Sequence, residues 1–471
     1  MTQPFPPLAC LAGNFAPILM ECDAHDLPVS GELPHALRGT LYRNGPNPQH
    51  APRDDRYHWF IGDGMVHAFH IEDGRVRYRN RWVRTNKFER ERAAGRALFG
   101  SWGNPATTDA SVLGQEDGVA NTHIVWHANR LLALEEADLP VEMDPHTLAT
   151  RGNCTFGGEL AGAFTAHPKI DPVTGEMVFF AYAAAGPFTP TMRYGVVDGD
   201  GRLARLEHFE APYASMVHDF MVTQRHVLFP VMPLTGSMAR AMRGEPAYAW
   251  EPQMGTHVGI MPRGGGVAQM RWFRGEACYV FHVMNAWDDG ERIVADVMEY
   301  PRAPLFGSSV EGTEGSANRA RLCRWTFDLG GEADTFTRAR IDDMPGEFPR
   351  IDERFATLPY RHGYFASRQH DASGPGTYDT LVHLDLHTGA RRTHALPAGD
   401  LVSEPVFVPR APDSAEGDGW LLATVYRGGE HRSDLAVYDA TAIETGPVAL
   451  AHLSHRVPFG FHGSWRCAAQ R

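Results

Sequence analysis

Short runs in which apolar and polar residues alternate, punctuated by tight turns with 48 glycines and 34 prolines, recur along nearly the whole chain. A period of two puts one face of a strand on a core and the other in solvent, so these runs predict β-strands. The stretch HIVWHANRLLALEEADLPVEMDPHTLAT, residues 123–150, reads as strand, turn, strand, loop, strand, turn. Further hairpins are expected at Asp198 to Gly201, Asp288 to Gly290 and Thr388 to Gly389, where the turn needs positive φ. Helical segments are few. KFERERAAGRALFG (87–100) and TGSMARAMRGEP (235–246) are expected as insertions capping one face. No exact repeat of fixed period is present, and no Pro/Ser-rich linker divides the hairpins. The pattern therefore predicts an all-β protein of one domain, residues 1–471, for which a closed β-propeller is the natural architecture.

Composition supports a folded, water-facing protein: 43% of residues are hydrophobic and 21% charged. The net charge is -13, and of 44 basic residues only Lys87 and Lys169 are lysines. That acidic balance, with no run of like charge, argues against a nucleic-acid partner. The cysteines Cys10, Cys22, Cys154, Cys278, Cys323 and Cys467 show no CxxC and no disulfide-like spacing, which predicts a reducing, cytoplasmic compartment. No apolar run reaches the ~18 residues of a membrane span, and the N-terminus lacks the basic region of a signal peptide.

Histidine is the residue that carries candidate chemistry, and the chain has 24 of them. His67, His70, His123 and His127 lie in strand-like surroundings and read as ordinary strand residues. His167 in FTAHPK, His218 in SMVHDFM, His282 in YVFHVMNA and His462 in GFHGSW differ, because each sits among apolar or small residues where a buried imidazole needs a partner. They are too far apart for a zinc finger or an HExxH site. A propeller brings such distant strands to one axis, and four neutral imidazoles suit Fe, Cu, Ni or Zn alike. Carboxylates should then accept the outer imidazole N–H groups; Glu136, Glu347 and Glu404 are the candidates in apolar, strand-like settings.

These residues carry a family resemblance. The chain resembles the carotenoid cleavage oxygenases, non-haem iron enzymes that include apocarotenoid oxygenases and lignostilbene dioxygenases. The similarity runs from GTLYRNGPNPQ and HWFIGDGMVHAF through ANTHIVWHANRLLALEEADLP, FTAHPKIDPVTGEM, MVHDFMVT, FHVMNAWDDG, GEFPRIDERF and SEPVFVPR to PFGFHGSW. It implies a seven-bladed β-propeller with Fe(II) bound by His167, His218, His282 and His462. It also implies that Glu136, rather than Glu135, acts with Glu347 and Glu404 as imidazole acceptors, and that Thr122 is the small residue beside an open metal position.

The implied reaction is coenzyme-independent: O2 is added across a C=C bond of a conjugated alkene, which breaks into two carbonyl products. Lignostilbene-type members carry a tyrosine and a lysine that engage a phenol. Trp102 and Glu135 stand at the aligned positions here, and Phe60 and Trp102 read as cavity-wall aromatics. With both phenol-reading positions changed, a carotenoid or apocarotenoid-type polyene is the expected substrate. A stilbene or phenylpropanoid that yields an aromatic aldehyde is the alternative, and a propeller used only for binding is the third reading. The segments 87–100 and 235–246 offer little apolar bulk, so at most weak peripheral membrane contact is expected. A monomer or homodimer is expected.

Overall fold

Turn chemistry sets the strand boundaries. The computed structural model describes residues 4–101, 105–305, 318–369 and 377–468, which form 32 strands and two α-helices. Arg75–Trp82 shows the local rule: its arginines face outward while Val76, Tyr78 and Trp82 are buried, and Asp73 and Gly74 at φ 52° and 72° make the turn before it. The three expected hairpins are present, with Gly201, Gly290 and Gly389 at φ 82°, 63° and 74°. The stretch from 123 to 153 folds into one sheet of four consecutive antiparallel strands. No helix among the described residues is long and apolar enough to cross a membrane.

Both helices are shorter than the sequence predicts. The first runs only over Asn86–Ala94, because Thr85 caps it through Phe88 N–H and Gly95 turns left-handed at φ 66°. The second is limited to Met238–Met242, since Leu234–Gly236 pairs instead with Tyr248–Trp250 as a small ribbon. Tertiary strand pairing overrides helix propensity there.

The chain divides into two compact units. The first comprises Met1–Ala161, Leu396–Ser414 and Asp418–Arg471 and holds three meanders. In one of them the fully buried strand Gly39–Pro46 lies between Gly64–Glu72 and the C-terminal strand Gly463–Cys467. In another, Val29–Gly31 adds to Pro447–His452, so both ends of the sequence are locked into sheets. Leu41, Phe69, Val437 and Trp420 belong to the core that these sheets share.

The second unit comprises Gly162–Ala395 and Ala415–Gly417. Two of its sheets are four-stranded, and a third has seven strands. In that third sheet the 15-residue strand Thr337–Ile351 ends one meander and begins the next, which gives the unit four meanders. The described residues of the two units together hold seven antiparallel meanders, in keeping with the expected all-β class.

One contact in the first unit has no room for a side chain. Phe461 N–H donates to Asn44 O at 3.0 Å and Asn44 N–H to His462 O at 2.9 Å, which brings Gly460 onto Gly45. A Cβ on Gly460 would lie 2.7 Å from Asn44 O, and one on Gly45 would lie 2.5 Å from Gly460 Cα. Both clashes are with backbone. Gly460→Ala should therefore destabilise the protein by about 1–3 kcal/mol, the usual cost of overpacking, read as a lower urea midpoint at unchanged m-value.

Candidate metal centre

Three of the expected ligands lie in the second unit. His167 precedes the short strand Lys169–Ile170, His218 precedes Met221–Val222, and His282 lies within Tyr279–Asp289. His167 and His218 are 6% and 8% exposed, and the His282 side chain 12%. Their ring centroids are 4.6 Å (His167 to His218), 5.1 Å (His167 to His282) and 5.1 Å (His218 to His282) apart. The Nε2 atoms of His167 and His218 are separated by 3.0 Å. Two nitrogens bound at a right angle to one ion, with bonds of about 2.0–2.1 Å, are about 3.0 Å apart, so this spacing fits adjacent ligands.

His282 is aimed by an irregularity. The ladder between Tyr279–Asp289 and Arg292–Tyr300 slips between Val280 and Val283 and again between Val283 and Asn285. A bulge of this kind re-aims side chains. Glu347 sits at a second slip, between Glu347 and Arg350, followed by Phe348 at φ 57°. Its Oε2 accepts His282 Nδ1–H at 2.5 Å and Phe348 N–H at 2.9 Å. The Phe348 ring stacks on the imidazole at 5.4 Å. With its Nδ1 proton given to a carboxylate, His282 keeps the Nε2 lone pair that a metal ligand requires.

The first unit repeats this arrangement around His462, which is 4% exposed. Nδ1–H donates to Glu404 Oε1 at 2.8 Å, and Glu404 Oε2 accepts Gly463 N–H at 2.8 Å. Arg43 completes the set. Its Nη1 lies 3.4 Å from Glu404 Oε2, and its Nη2 donates to Phe461 O at 3.0 Å. The main chain of His462 is tied to Thr122, whose carbonyl accepts its N–H at 3.1 Å, while Thr122 N–H donates to Leu134 O at 2.9 Å. Phe60 packs edge-on against Phe461 at 5.3 Å, beside Trp59, which lies 4.5 Å from the same ring.

Glu135 and Glu136 follow the strand Arg130–Leu134 and are half-buried. Glu135 Oε1 accepts Val119 N–H at 2.8 Å. Trp102 lies outside the described residues. Sequence reasoning missed Arg43 and His123. His123, read as an ordinary strand residue, has its ring 5.1 Å from that of His462. Arg43 had a signal, a lone cation in a strand whose other residues are apolar, small or amide.

Two outcomes follow from these contacts. Arg43 and Glu404 are a buried pair with side chains 3% and 2% exposed. Arg43→Met leaves the carboxylate without its counter-charge and should cost about 3–5 kcal/mol in urea unfolding. For Glu135, burial first and the neighbouring Asp138 second push the carboxyl up to about 8, against about 4.3 in an unfolded chain. Between those values the unfolded chain binds fewer protons, so this group's contribution to stability is lost as pH rises from about 4.3 through about 8. Glu135→Gln should flatten that decline, and its urea midpoint should exceed that of the parent protein above about pH 8.

The profile of the retinal pigment epithelial membrane protein family matches residues 15–466. An isoeugenol monooxygenase of Pseudomonas nitroreducens is 41% identical over 466 residues, covering 97% of each sequence. The crystal structure of Pseudomonas brassicacearum lignostilbene dioxygenase is similar with a TM-score of 0.94 at 35% identity, covering 99% of this chain and 100% of that one. Synechocystis apocarotenoid oxygenase, solved as a glutamate-to-glutamine variant, gives 0.86 at 29% identity, covering 97% and 98%. With its motifs in order, its seven meanders formed and this profile matched over nearly its full length, the chain belongs to the retinal pigment epithelial membrane protein family, the carotenoid cleavage oxygenases.

Proposed function

We propose that His167, His218, His282 and His462 together hold one ferrous ion and that the protein uses it to cleave a C=C bond of a conjugated alkene with O2. The observation that carries the reading is the tautomer control: His282 and His462 each give the Nδ1 proton to a buried carboxylate, which leaves Nε2 as a donor to metal. With four imidazoles as its protein ligands, the ion would keep open positions for small molecules. When bound, the ion supplies a site for O2 and Lewis acidity, and one alkene plus O2 becomes two carbonyl compounds. Iron rather than another imidazole-binding metal is proposed from the family, since the donor set alone suits several.

The side chains have separate tasks in this scheme. Glu347, Glu404 and Glu136 orient imidazoles and offset the charge of an ion held by neutral ligands. Thr122, whose carbonyl accepts His462 N–H, is the small residue that would shape access to an open metal position. Phe60 contributes an aromatic face beside developing positive charge. Six free cysteines support a reducing, cytoplasmic compartment.

Both substrate classes expected from the sequence, apocarotenoid polyenes and aryl-alkenes, fit a family that includes enzymes named for each. Two observations support the aryl-alkene arm. The similarity to an isoeugenol monooxygenase reaches 41% identity, and the lignostilbene dioxygenase gives a higher TM-score than the apocarotenoid oxygenase, 0.94 against 0.86. At Glu135, where related enzymes carry a phenol-binding lysine, burial and the neighbouring Asp138 push the carboxyl up to about 8. A neutral acid can hydrogen-bond a phenol, whereas a carboxylate would repel a phenolate.

The test is product analysis with iron-loaded protein under labelled O2, on a panel of isoeugenol-like alkenes, stilbenes and apocarotenals. An aromatic aldehyde carrying label from O2 is expected from the aryl-alkenes, and His462→Ala should lower turnover by at least about 100-fold, the scale of losing a group that acts in the transition state. Absence of label from every product, or turnover retained in His462→Ala, overturns the proposal.

A further inference from the structure

We infer that Asp219, held by Lys169, is the positioning residue that sets the spacing of the three histidine-bearing segments in the second unit. Its carboxylate reaches one residue beside each histidine. Lys169, two residues after His167, places Nζ 2.7 Å from Asp219 Oδ1. Asp219 itself follows His218 in sequence. Its Oδ2 accepts the N–H of Val283, the residue after His282, at 2.9 Å.

The geometry explains why a carboxylate is needed. Phe281 and His282 fall in the register slip between Val280 and Val283. A bulge interrupts the ladder there, and a buried N–H without an acceptor is costly. Asp219, whose side chain is 2% exposed, supplies the acceptor for Val283. Its Oδ1 also accepts Phe220 N–H at 2.8 Å, so one group serves two main-chain donors and an ammonium. An ionised carboxylate can do this because it only accepts, with room for about four donors. Asparagine cannot, since its NH2 would face either Val283 N–H or the Lys169 ammonium.

The sequence bears on the same point. Only two lysines occur among 44 basic residues, and both act as cations on buried carboxylates: Lys169 on Asp219, and Lys87 on Asp63 and Glu91. Elsewhere the chain uses arginine.

This inference rests on the proposed metal centre, so the experiment separates the two. Cobalt(II) is titrated into metal-free parent protein, Lys169→Met and Asp219→Asn, with the visible d–d spectrum, the affinity and the melting temperature of each metal-free protein recorded. The parent protein should bind one cobalt. Both variants should bind about 10- to 100-fold more weakly, the usual range for outer partners of metal ligands, with a shifted d–d band. A parent protein that binds no cobalt overturns the metal centre and this inference with it. A parent that binds while the variants match its affinity and spectrum overturns the inference alone, as does a lower melting temperature with unchanged affinity and band, which marks a merely structural role. If Asp219→Asn does not fold, Lys169→Met, altered at a side chain 24% exposed, decides the matter by the same readings.

Discussion

A neutral imidazole buried in a protein can turn one nitrogen toward an ion only if the other nitrogen hands its proton to something fixed. Glu347 does this for His282 and Glu404 does it for His462. A buried carboxylate is itself expensive and needs donors of its own. Glu347 takes the N–H of Phe348, and Glu404 takes the N–H of Gly463 together with the Arg43 guanidinium. Each layer around a histidine therefore satisfies the one inside it, and the imidazole direction is set from behind the ring.

The irregular backbone of the second unit belongs to the same scheme. Regular strands would point successive side chains to opposite faces. The slips beside His282 and Glu347 break that rule locally. Val283 and Phe348 then give their N–H groups to Asp219 and Glu347. Phe348, at φ 57°, pays in backbone strain for placing its ring over His282. Slip and buried carboxylate thus occur together, and the carboxylate accepts the main-chain N–H beside each slip.

In the first unit the corresponding constraint is close packing of main chain. The segment that delivers His462 runs against Gly39–Pro46 with glycine facing glycine, and aromatic rings of Phe459, Phe461, Trp59 and Phe15 seal its other side. The C-terminal strand Gly463–Cys467 then continues along the same buried strand. Register along that edge fixes where the imidazole lies, since a slip of one residue would turn it to the opposite face.

The strands, the hairpin turns and the all-β class were legible in the sequence because alternation and positive-φ turns act over two to four residues. The motifs singled out His282 and Glu347, and His462 and Glu404, each of which the structure joins by a hydrogen bond. The true extent of the helices was not, because Gly95 and the pairing of Leu234–Gly236 with Tyr248–Trp250 end or displace them. Nor were Lys169 and Asp219, each of which reads locally as an ordinary charge. The carboxylates meet their imidazoles across 65 and 58 residues of chain. Local pattern thus determined what each segment is, and only the tertiary structure decided which donor meets which acceptor, because those hydrogen bonds join groups that no local rule relates.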